Sequence, residues 1–191
     1  LSGWIVGAIE HHGLIVQSTS IPGVAQRTGA TTYYIETFPV PAAELGGRRP
    51  VLSLYPSVGD IDVMVASELI EAGRAIQAGF VTPDRTTLIA STHRTYAIGE
   101  RTDMADGRFD SARVLDAANV RSARAMLADF ATLAKDNGTG LNAVLLGVVA
   151  ASSALPIPVA SYEHAIQAQG IAVEPNLAGF RIGLAFARRG A

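Results

Sequence analysis

Two strand patterns joined by an amphipathic helix do most to constrain the fold of this chain. The run TTLIAST, residues 86–92, is uncharged and rich in β-branched residues, which is typical of a strand buried on both faces of a parallel sheet. DVMVA, residues 62–66, predicts a second strand, and SELIEAGRAIQAG after it predicts a helix that Ser67 caps and Gly79 ends. Because parallel neighbours need a long connection, this order indicates a parallel sheet with helices packed against it.

The rest of the first half alternates in the same way. LSGWIVGAIEHHG has apolar residues at helical spacing and ends at Gly13, where a glycine can stop a helix. Further runs rich in β-branched and aromatic residues predict the strands LIVQSTS, TTYYIETF, VLSLY and TYAIGE. Proline, glycine or charge predicts loops at PVPAAELGGRRP, TPDR and RTDMADGRFD.

The second half has helical patterns. Residues 111–137 carry apolar side chains every three or four positions, which predicts one bent helix or two. Three more helices are predicted at LNAVLLGVVAASSA, which we expect to be buried, SYEHAIQAQG and NLAGFRIGLAFARR. Strands alternating with helices, then helices alone, indicate an α/β protein. We expect one layered α/β unit with a central, largely parallel sheet and a helical C-terminal third.

Composition excludes several classes of function. The net charge of -2 offers no attraction for nucleic acid, and only 17% of the residues are charged, which predicts a surface partly covered by a partner. The sequence has no cysteine, so it cannot supply the thiolates of an iron–sulfur or zinc site. The apolar run LNAVLLGVVAASSAL is shorter than the ~20 residues of a membrane span. We expect a cytoplasmic protein without a membrane segment.

The segment IPGVAQRTGAT, residues 21–31, combines special backbone with polar chemistry between two predicted strands. Its glycines permit backbone angles closed to other residues, and its amide and guanidinium could recognise a carboxylate, a phosphate or a neighbouring subunit. The candidate residues are Gly23, Gln26, Arg27, Thr28 and Gly29. The alternative is an ordinary surface turn in which Arg27 is solvated, and composition does not decide between the two.

Other polar residues predict no complete catalytic or metal site. The histidines lack the spacing of a zinc helix, which favours structural or solvated roles for His11, His12, His93 and His164. No nucleophile elbow surrounds any of the serines Ser91, Ser152 and Ser153. Helix capping explains half of the acidic stretch Asp60, Asp62, Glu68 and Glu71. N-capping is also the interpretation for Asn142 and Asn176.

At GVAQRTGATTYYIE the sequence resembles the gamma-type domain of 2-oxoacid:ferredoxin oxidoreductases, and most closely the smaller, beta subunits of the indolepyruvate oxidoreductases. Other stretches agree in the same order along the chain. They are DVMVASELIEAGRA, TTLIASTHRTYAIGE, DGRFD, LNAVLLGVVA, ALPIP with YEHAI, and VEPNLAGFRIG. This collinear series, rather than any one motif, identifies the chain as a member of that family.

The resemblance implies a single three-layer α/β/α domain over residues 1–191. It also implies a subunit that is inactive alone, within an enzyme that oxidatively decarboxylates a 2-oxoacid, here an arylpyruvate such as indolepyruvate, to an acyl-coenzyme A. Thiamine diphosphate, magnesium and the iron–sulfur clusters would lie on a larger partner subunit, and ferredoxin would accept the electrons. Coenzyme A would be a co-substrate. The candidates in residues 23–29 would then contact substrate, coenzyme A or the partner, and this chain would hold no catalytic residue, metal or cofactor.

One departure from the family leaves alternatives open. In relatives a glycine-rich turn lies between a first strand and the helix that LSGWIVGAIEHHG matches, and we expect that strand and turn to precede Leu1. A phosphate site of coenzyme A would then lie outside this sequence. The other interpretations are a stand-alone nucleotide- or coenzyme A-binding module and a purely structural subunit. We also expect the isolated chain to self-associate through the surface its partner would cover.

Overall fold

The computed structural model describes residues 1–22, 31–93 and 111–189. It is an α/β structure with a parallel sheet and a helical C-terminal third, as the sequence predicted. Two compact units can be distinguished, and each is described by itself. The first comprises Leu1–Ser20, Tyr33–Pro56 and Ala131–Ala191, and the second comprises Ile21–Thr32 and Ser57–Phe130.

The chain order of the elements follows the alternation predicted from the sequence, with exceptions given below. The elements are α1 (Ser2–His11), β1 (Leu14–Pro22), β2 (Thr31–Pro41), a 3₁₀ helix (Ala42–Leu45), β3 (Val63–Ala66), α2 (Leu69–Gln77), β4 (Thr87–Ser91), α3 (Ser111–Arg121), β5 (Arg124–Ala128), α4 (Phe130–Asp136), α5 (Leu141–Ser152), α6 (Val159–Gln169) and α7 (Val173–Arg189).

The second unit is built on the parallel sheet β3-β4-β5, in which β4 is central. Ala90 of β4 pairs with Ala66 on one side and Leu127 on the other. Leu88, Ile89 and Ala90 are completely buried, as expected for the uncharged run that predicted this strand. Small residues of α2 and α3 pack against the same core, where their short side chains allow each helix to approach the sheet closely.

β5 was not predicted. Its sequence RAMLA falls within the stretch assigned to one bent helix or two, and the structure places a strand between α3 and α4 instead. It pairs in register with β4, from Thr87↔Arg124 to Ser91↔Ala128, and Met126 is buried. A short apolar run fits both helical and strand periodicity, so the gain in pairing with β4 decides the outcome.

The first unit contains most of the β1-β2 hairpin, with β1 up to Ser20 and β2 from Tyr33. Its strands are antiparallel, because the start of β1 lies beside the end of β2, where Ala42 N–H donates to Gly13 O over 2.9 Å. LIVQSTS and TTYYIETF are strands as predicted, but β2 continues through Pro41, so the interpretation of PVP as loop was wrong. The predicted strand VLSLY was also wrong, since residues 51–55 lie in no strand. Of the other predictions, TYAIGE and RTDMADGRFD lie outside the described residues.

Helices form the rest of the first unit. α5 is buried along its length, as predicted, and packs on α7. α1 packs on α6, where a Cβ on Gly7 would lie 3.4 Å from the Cβ of Ala165. No helix in the described part of the chain combines the length and apolar character needed to cross a membrane.

Three predicted helix caps were wrong. The N-cap of α2 is Glu68 rather than Ser67, and its side chain makes no capping hydrogen bond, although Gly79 follows the helix with φ +76° as predicted. The N-cap of α5 is Gly140, which leaves Asn142 inside the helix. Asn176 lies within α7, where its Nδ2 donates backwards to Ile171 O over 3.0 Å. In each case the helix begins at a different residue from the one with the best capping side chain, and helix ends are the least sharply defined part of such elements.

Candidate functional site

The candidate site residues predicted from the sequence all belong to the segment IPGVAQRTGAT, residues 21–31. Its residues Gly23, Gln26, Arg27, Thr28 and Gly29 lie outside the described residues. The flanking strands do occur, with β1 ending at Pro22 and β2 beginning at Thr31. The roles of the five candidate residues in binding a substrate, coenzyme A or a partner stay a prediction.

Within the described residues, the carboxyl edge of the parallel sheet is where polar groups converge. β3 ends at Ala66, β4 at Ser91 and β5 at Ala128, and parallel strands end at the same edge. The pairing of β4 with β5 continues one residue further, because Thr92 N–H donates to Ala128 O over 2.8 Å. Open parallel sheets bind their ligands outside this edge.

Ser91 and His93 form a hydrogen-bonded pair at that edge. Ser91 Oγ lies 2.8 Å from His93 Nδ1, Ser91 is completely buried, and His93 is partly exposed. The sequence alone predicted a structural or solvated role for His93 and showed no nucleophile elbow around Ser91, and it did not connect the two residues. The signal that links them is their spacing of two residues at a strand end, since alternate residues of an extended chain share a face.

The pair lies beside the N-terminus of α2. Leu69 N–H, in the first turn of that helix, donates to the backbone oxygen of His93 over 3.4 Å. Glu68, the N-cap of α2, is extended and makes no capping bond, and Glu71 is the acidic residue of the first turn. A partly exposed imidazole that a buried hydroxyl holds beside a helix N-terminus suits the oxygen atoms of a carboxylate or a phosphate.

A second histidine cluster occupies the first unit, between α1 and α6. His11 Nδ1 lies 3.1 Å from Ser161 Oγ, and the ring of His11 stacks on that of His164 with centroids 3.8 Å apart. The structural role predicted for these two histidines fits their position, because the contacts join one helix to the other. Among the described residues no three side chains of the metal-binding types come together.

Ion pairs with Arg85 account for Asp60 and Asp62, the half of the acidic stretch that helix capping left unexplained. Asp60 and Asp62 both pair with Arg85, whose Nε donates to Asp62 Oδ1 over 2.8 Å, rather than serving any helix end. The hydrogen bond to Asp62, then the negative charges around it, raises the pKa of Arg85. Glu71 is in the first turn of α2, as predicted, and pairs with Arg74 one turn later. The cluster therefore connects the starts of β3 and β4, away from the carboxyl edge.

Comparison with known families assigns the chain. The model of the pyruvate ferredoxin/flavodoxin oxidoreductase family matches residues 1–186 of the 191. The chain belongs to this family. Comparison with curated proteins gave no match. Membership of the pyruvate ferredoxin/flavodoxin oxidoreductase family makes the chain part of a multi-subunit oxidoreductase.

The cofactors expected of such an enzyme do not fit the side chains described in this chain. An iron–sulfur cluster needs cysteine thiolates, and the sequence has none. Magnesium bound with a diphosphate needs carboxylate or amide oxygens gathered at one place, and the described residues gather no such set. At the carboxyl edge of the sheet, the described residues form the Ser91–His93 pair and gather no group of three metal-binding side chains.

Proposed function

We propose that this chain is a subunit, inactive by itself, of a thiamine-dependent oxidoreductase that converts an arylpyruvate such as indolepyruvate to its acyl-coenzyme A. The family match over residues 1–186 supports the 2-oxoacid:ferredoxin oxidoreductase class. The collinear resemblance supports the narrower choice of arylpyruvate. In this proposal a larger partner subunit carries thiamine diphosphate, magnesium and the clusters, and passes electrons to ferredoxin.

The absence of cysteine supports that division between subunits. A chain with no thiolate cannot hold an iron–sulfur cluster, so electron transfer has to run through another subunit. The described side chains likewise gather no set for magnesium. What this chain contributes is therefore binding and positioning at the active site of the partner, in the cytoplasm, rather than the chemical step.

The observation that carries this role is the Ser91–His93 pair beside the N-terminus of α2. Both 2-oxoacids and coenzyme A present anionic oxygens, and the partly exposed imidazole of His93, held by Ser91 beside the helix end, can donate to one such group. We propose that this edge orients the carboxylate of the 2-oxoacid or a phosphate of coenzyme A. The turn at residues 23–29, with Gln26 and Arg27, contributes to the same task or to the contact with the partner.

The test is reconstitution with the larger, thiamine-binding subunit of the same organism. Indolepyruvate should be oxidised with coenzyme A and ferredoxin only when both subunits are present, and faster than pyruvate at equal concentration. Turnover by the chain alone, or a visible absorption band of a cluster in it, would contradict the proposal. A preference for pyruvate would keep the family assignment and remove the arylpyruvate specificity.

A matched pair of serine variants tests the role of the sheet edge. Ser91→Ala removes the partner of His93, whereas Ser122→Ala removes a buried hydroxyl that donates to Ala118 O in the same unit. We expect Ser91→Ala to raise the KM for coenzyme A or for the 2-oxoacid about tenfold, because His93 loses the hydrogen bond that orients its imidazole toward the anion. Ser122→Ala should leave both KM values within twofold. Equal effects of the two substitutions would favour the purely structural subunit.

A further inference from the structure

The irregular segment of residues 48–55 exposes large apolar side chains. Val51 is 98% exposed, Tyr55 64% and Leu54 57%, within five consecutive positions. Apolar side chains scattered singly are normal on a protein surface, but three this close together form a patch that water solvates poorly. Such patches mark sites of interaction with another macromolecule.

The backbone of this segment is held in place at Ser53. Ser53 N–H donates to Glu36 Oε2 over 2.6 Å, and Gln17 Nε2 donates to Ser53 O over 2.8 Å. Glu36 also accepts from Tyr34 Oη over 3.1 Å. One residue of the segment is thus bonded to both strands of the β1-β2 hairpin, most of which belongs to the same unit.

Fixing Ser53 determines how its neighbours are presented. Ser53 Oγ donates to Tyr55 O over 2.9 Å and so closes a tight local turn. Because the backbone of Ser53 is already bonded to the hairpin, less backbone entropy is lost when a partner buries Val51, Leu54 and Tyr55. The hydrogen bonds of Ser53 therefore hold the segment in a conformation that exposes these three side chains.

The charge beside the patch indicates what kind of surface it fits. Arg48 and Arg49 are exposed and line an open cleft with Ile15, Ala42 and Gly47. Neither arginine makes an ion pair with any residue that the structure describes. The patch thus has an apolar centre that includes a tyrosine, and two guanidiniums at its rim, which is a composition typical of protein interfaces. A complementary partner surface would be apolar with carboxylates at its rim.

We propose that residues 48–55 are the docking surface for the larger subunit of the oxidoreductase, which would present an apolar pocket rimmed by Asp or Glu. This rests on the proposed function, since it names the contact through which that subunit binds. A second copy of this chain fits less well. The segment RRPVLSLY has no acidic residue, so in a two-fold contact of the segment with itself neither arginine would meet a carboxylate of the segment.

The experiment measures binding of the co-expressed, thiamine-binding larger subunit by titration calorimetry. The variant Val51→Ser/Tyr55→Ser should weaken the Kd at least tenfold, while Val120→Ser, at a valine 70% exposed in α3, should change it less than twofold. Arg48→Glu/Arg49→Glu should slow association and reverse the effect of salt on its rate. Circular dichroism should show all variants folded, because these side chains project into solvent.

The outcomes separate this inference from the proposed function. If the parent chain binds the larger subunit and Val51→Ser/Tyr55→Ser binds equally well, the surface is not the docking site, although the function stands. If the parent does not bind that subunit, both fail. If sedimentation shows a parent dimer that Val51→Ser/Tyr55→Ser dissociates while subunit binding is unchanged, the occupant is a second copy and the inference is overturned.

Discussion

The backbone of Gly183 in α7 lies directly against the carbonyl oxygen of Val144 in α5. A Cβ built on Gly183 would overlap that oxygen, and a Cβ on Gly147 would overlap Phe180 O from the opposite side. Each helix thus has a glycine where the backbone of the other passes. The two helices cross this closely because neither side has a side chain at the crossing point.

Gly183→Ala should therefore destabilise the protein strongly. The added methyl group meets backbone rather than a movable side chain, so the two helices have to separate, and we expect a loss of at least about 2 kcal/mol in the free energy of unfolding. Gly3→Ala is the matched control, because a Cβ at this helical position meets nothing within 4 Å. It should be neutral or stabilising by up to about 1 kcal/mol. Urea unfolding followed by circular dichroism measures both, and equal midpoints would refute the close crossing.

Tyr162 provides a second test of the helical unit. Its ring is completely buried and packs near Phe180, with centroids 6.2 Å apart, and its hydroxyl makes no hydrogen bond within the described structure. Tyr162→Phe removes a desolvated polar group and keeps the ring. Stability at pH 7 should be unchanged or higher by up to about 1 kcal/mol. A loss above that amount, measured by urea unfolding, would mean that the hydroxyl has a partner.

The same side chain makes stability depend on alkaline pH. Burial raises the pKa of Tyr162 to about 12, whereas an unfolded tyrosine titrates near 10. The folded state therefore holds the proton of Tyr162 more tightly than the unfolded state does. The contribution of this proton to the free energy of unfolding is complete below pH 10 and is lost as the pH rises through 12. By pH 11 the parent should have lost about 1 kcal/mol that Tyr162→Phe does not lose. Parallel slopes for parent and variant between pH 9 and 11 would contradict this origin.

The sequence predicted the elements whose patterns admit one interpretation. β4 has no charge and occupies the centre of a parallel sheet, and α5 is apolar all round and buried, so burial and pattern agree. β5 was missed because five residues inside a helical pattern become a strand only by pairing with β4. VLSLY was assigned to a strand from its propensity, but its backbone bonds go to the side chains of Gln17 and Glu36 instead.

The candidate site was less predictable than the fold, for a physical reason. The sequence shows that Ser91 and His93 are present, but they form a candidate binding site only because they lie at the edge of the sheet beside the N-terminus of α2. Both of these placements depend on tertiary packing. Similarly, the sequence left Asp60 and Asp62 without an explanation, because their pairing with Arg85 joins residues more than 20 positions apart. Residue types in the sequence identify candidate side chains, but the tertiary fold determines which of these side chains come into contact.

The ion pairs of Arg85 should contribute little to stability. The side chains of Arg85, Asp60 and Asp62 are 44%, 60% and 61% exposed, so water and salt screen their attraction. We expect Arg85→Ala to leave the urea midpoint nearly unchanged at 0.15 M salt, with any difference shrinking further at 1 M. A midpoint shift as large as that of Gly183→Ala would show that the network fixes the start of the parallel sheet.

The last prediction concerns Arg27, in the turn where the sequence resemblance is densest. We expect Arg27→Ala to leave the fold intact, since a guanidinium between glycines in a polar turn contributes little to a hydrophobic core. If this residue contacts an anionic substrate group or the partner subunit, its loss should cost about 1 to 3 kcal/mol, which is a fivefold to hundredfold effect on KM or subunit affinity. Arg74→Ala is the control, because that arginine pairs with Glu71 on an exposed helix face.

The measurement should separate the two roles that Arg27 can have. Circular dichroism checks the fold, titration of the larger subunit gives the affinity, and steady-state assays at varied coenzyme A and 2-oxoacid give each KM. Weaker subunit binding with unchanged KM would place Arg27 in the interface, whereas a raised KM with unchanged affinity would place it against a substrate. Gly29→Val should have a larger effect than Arg27→Ala if the turn requires a positive φ there, because a β-branched side chain is disfavoured in that region. If Arg27→Ala assembles and turns over like the parent and like Arg74→Ala, the turn is ordinary surface.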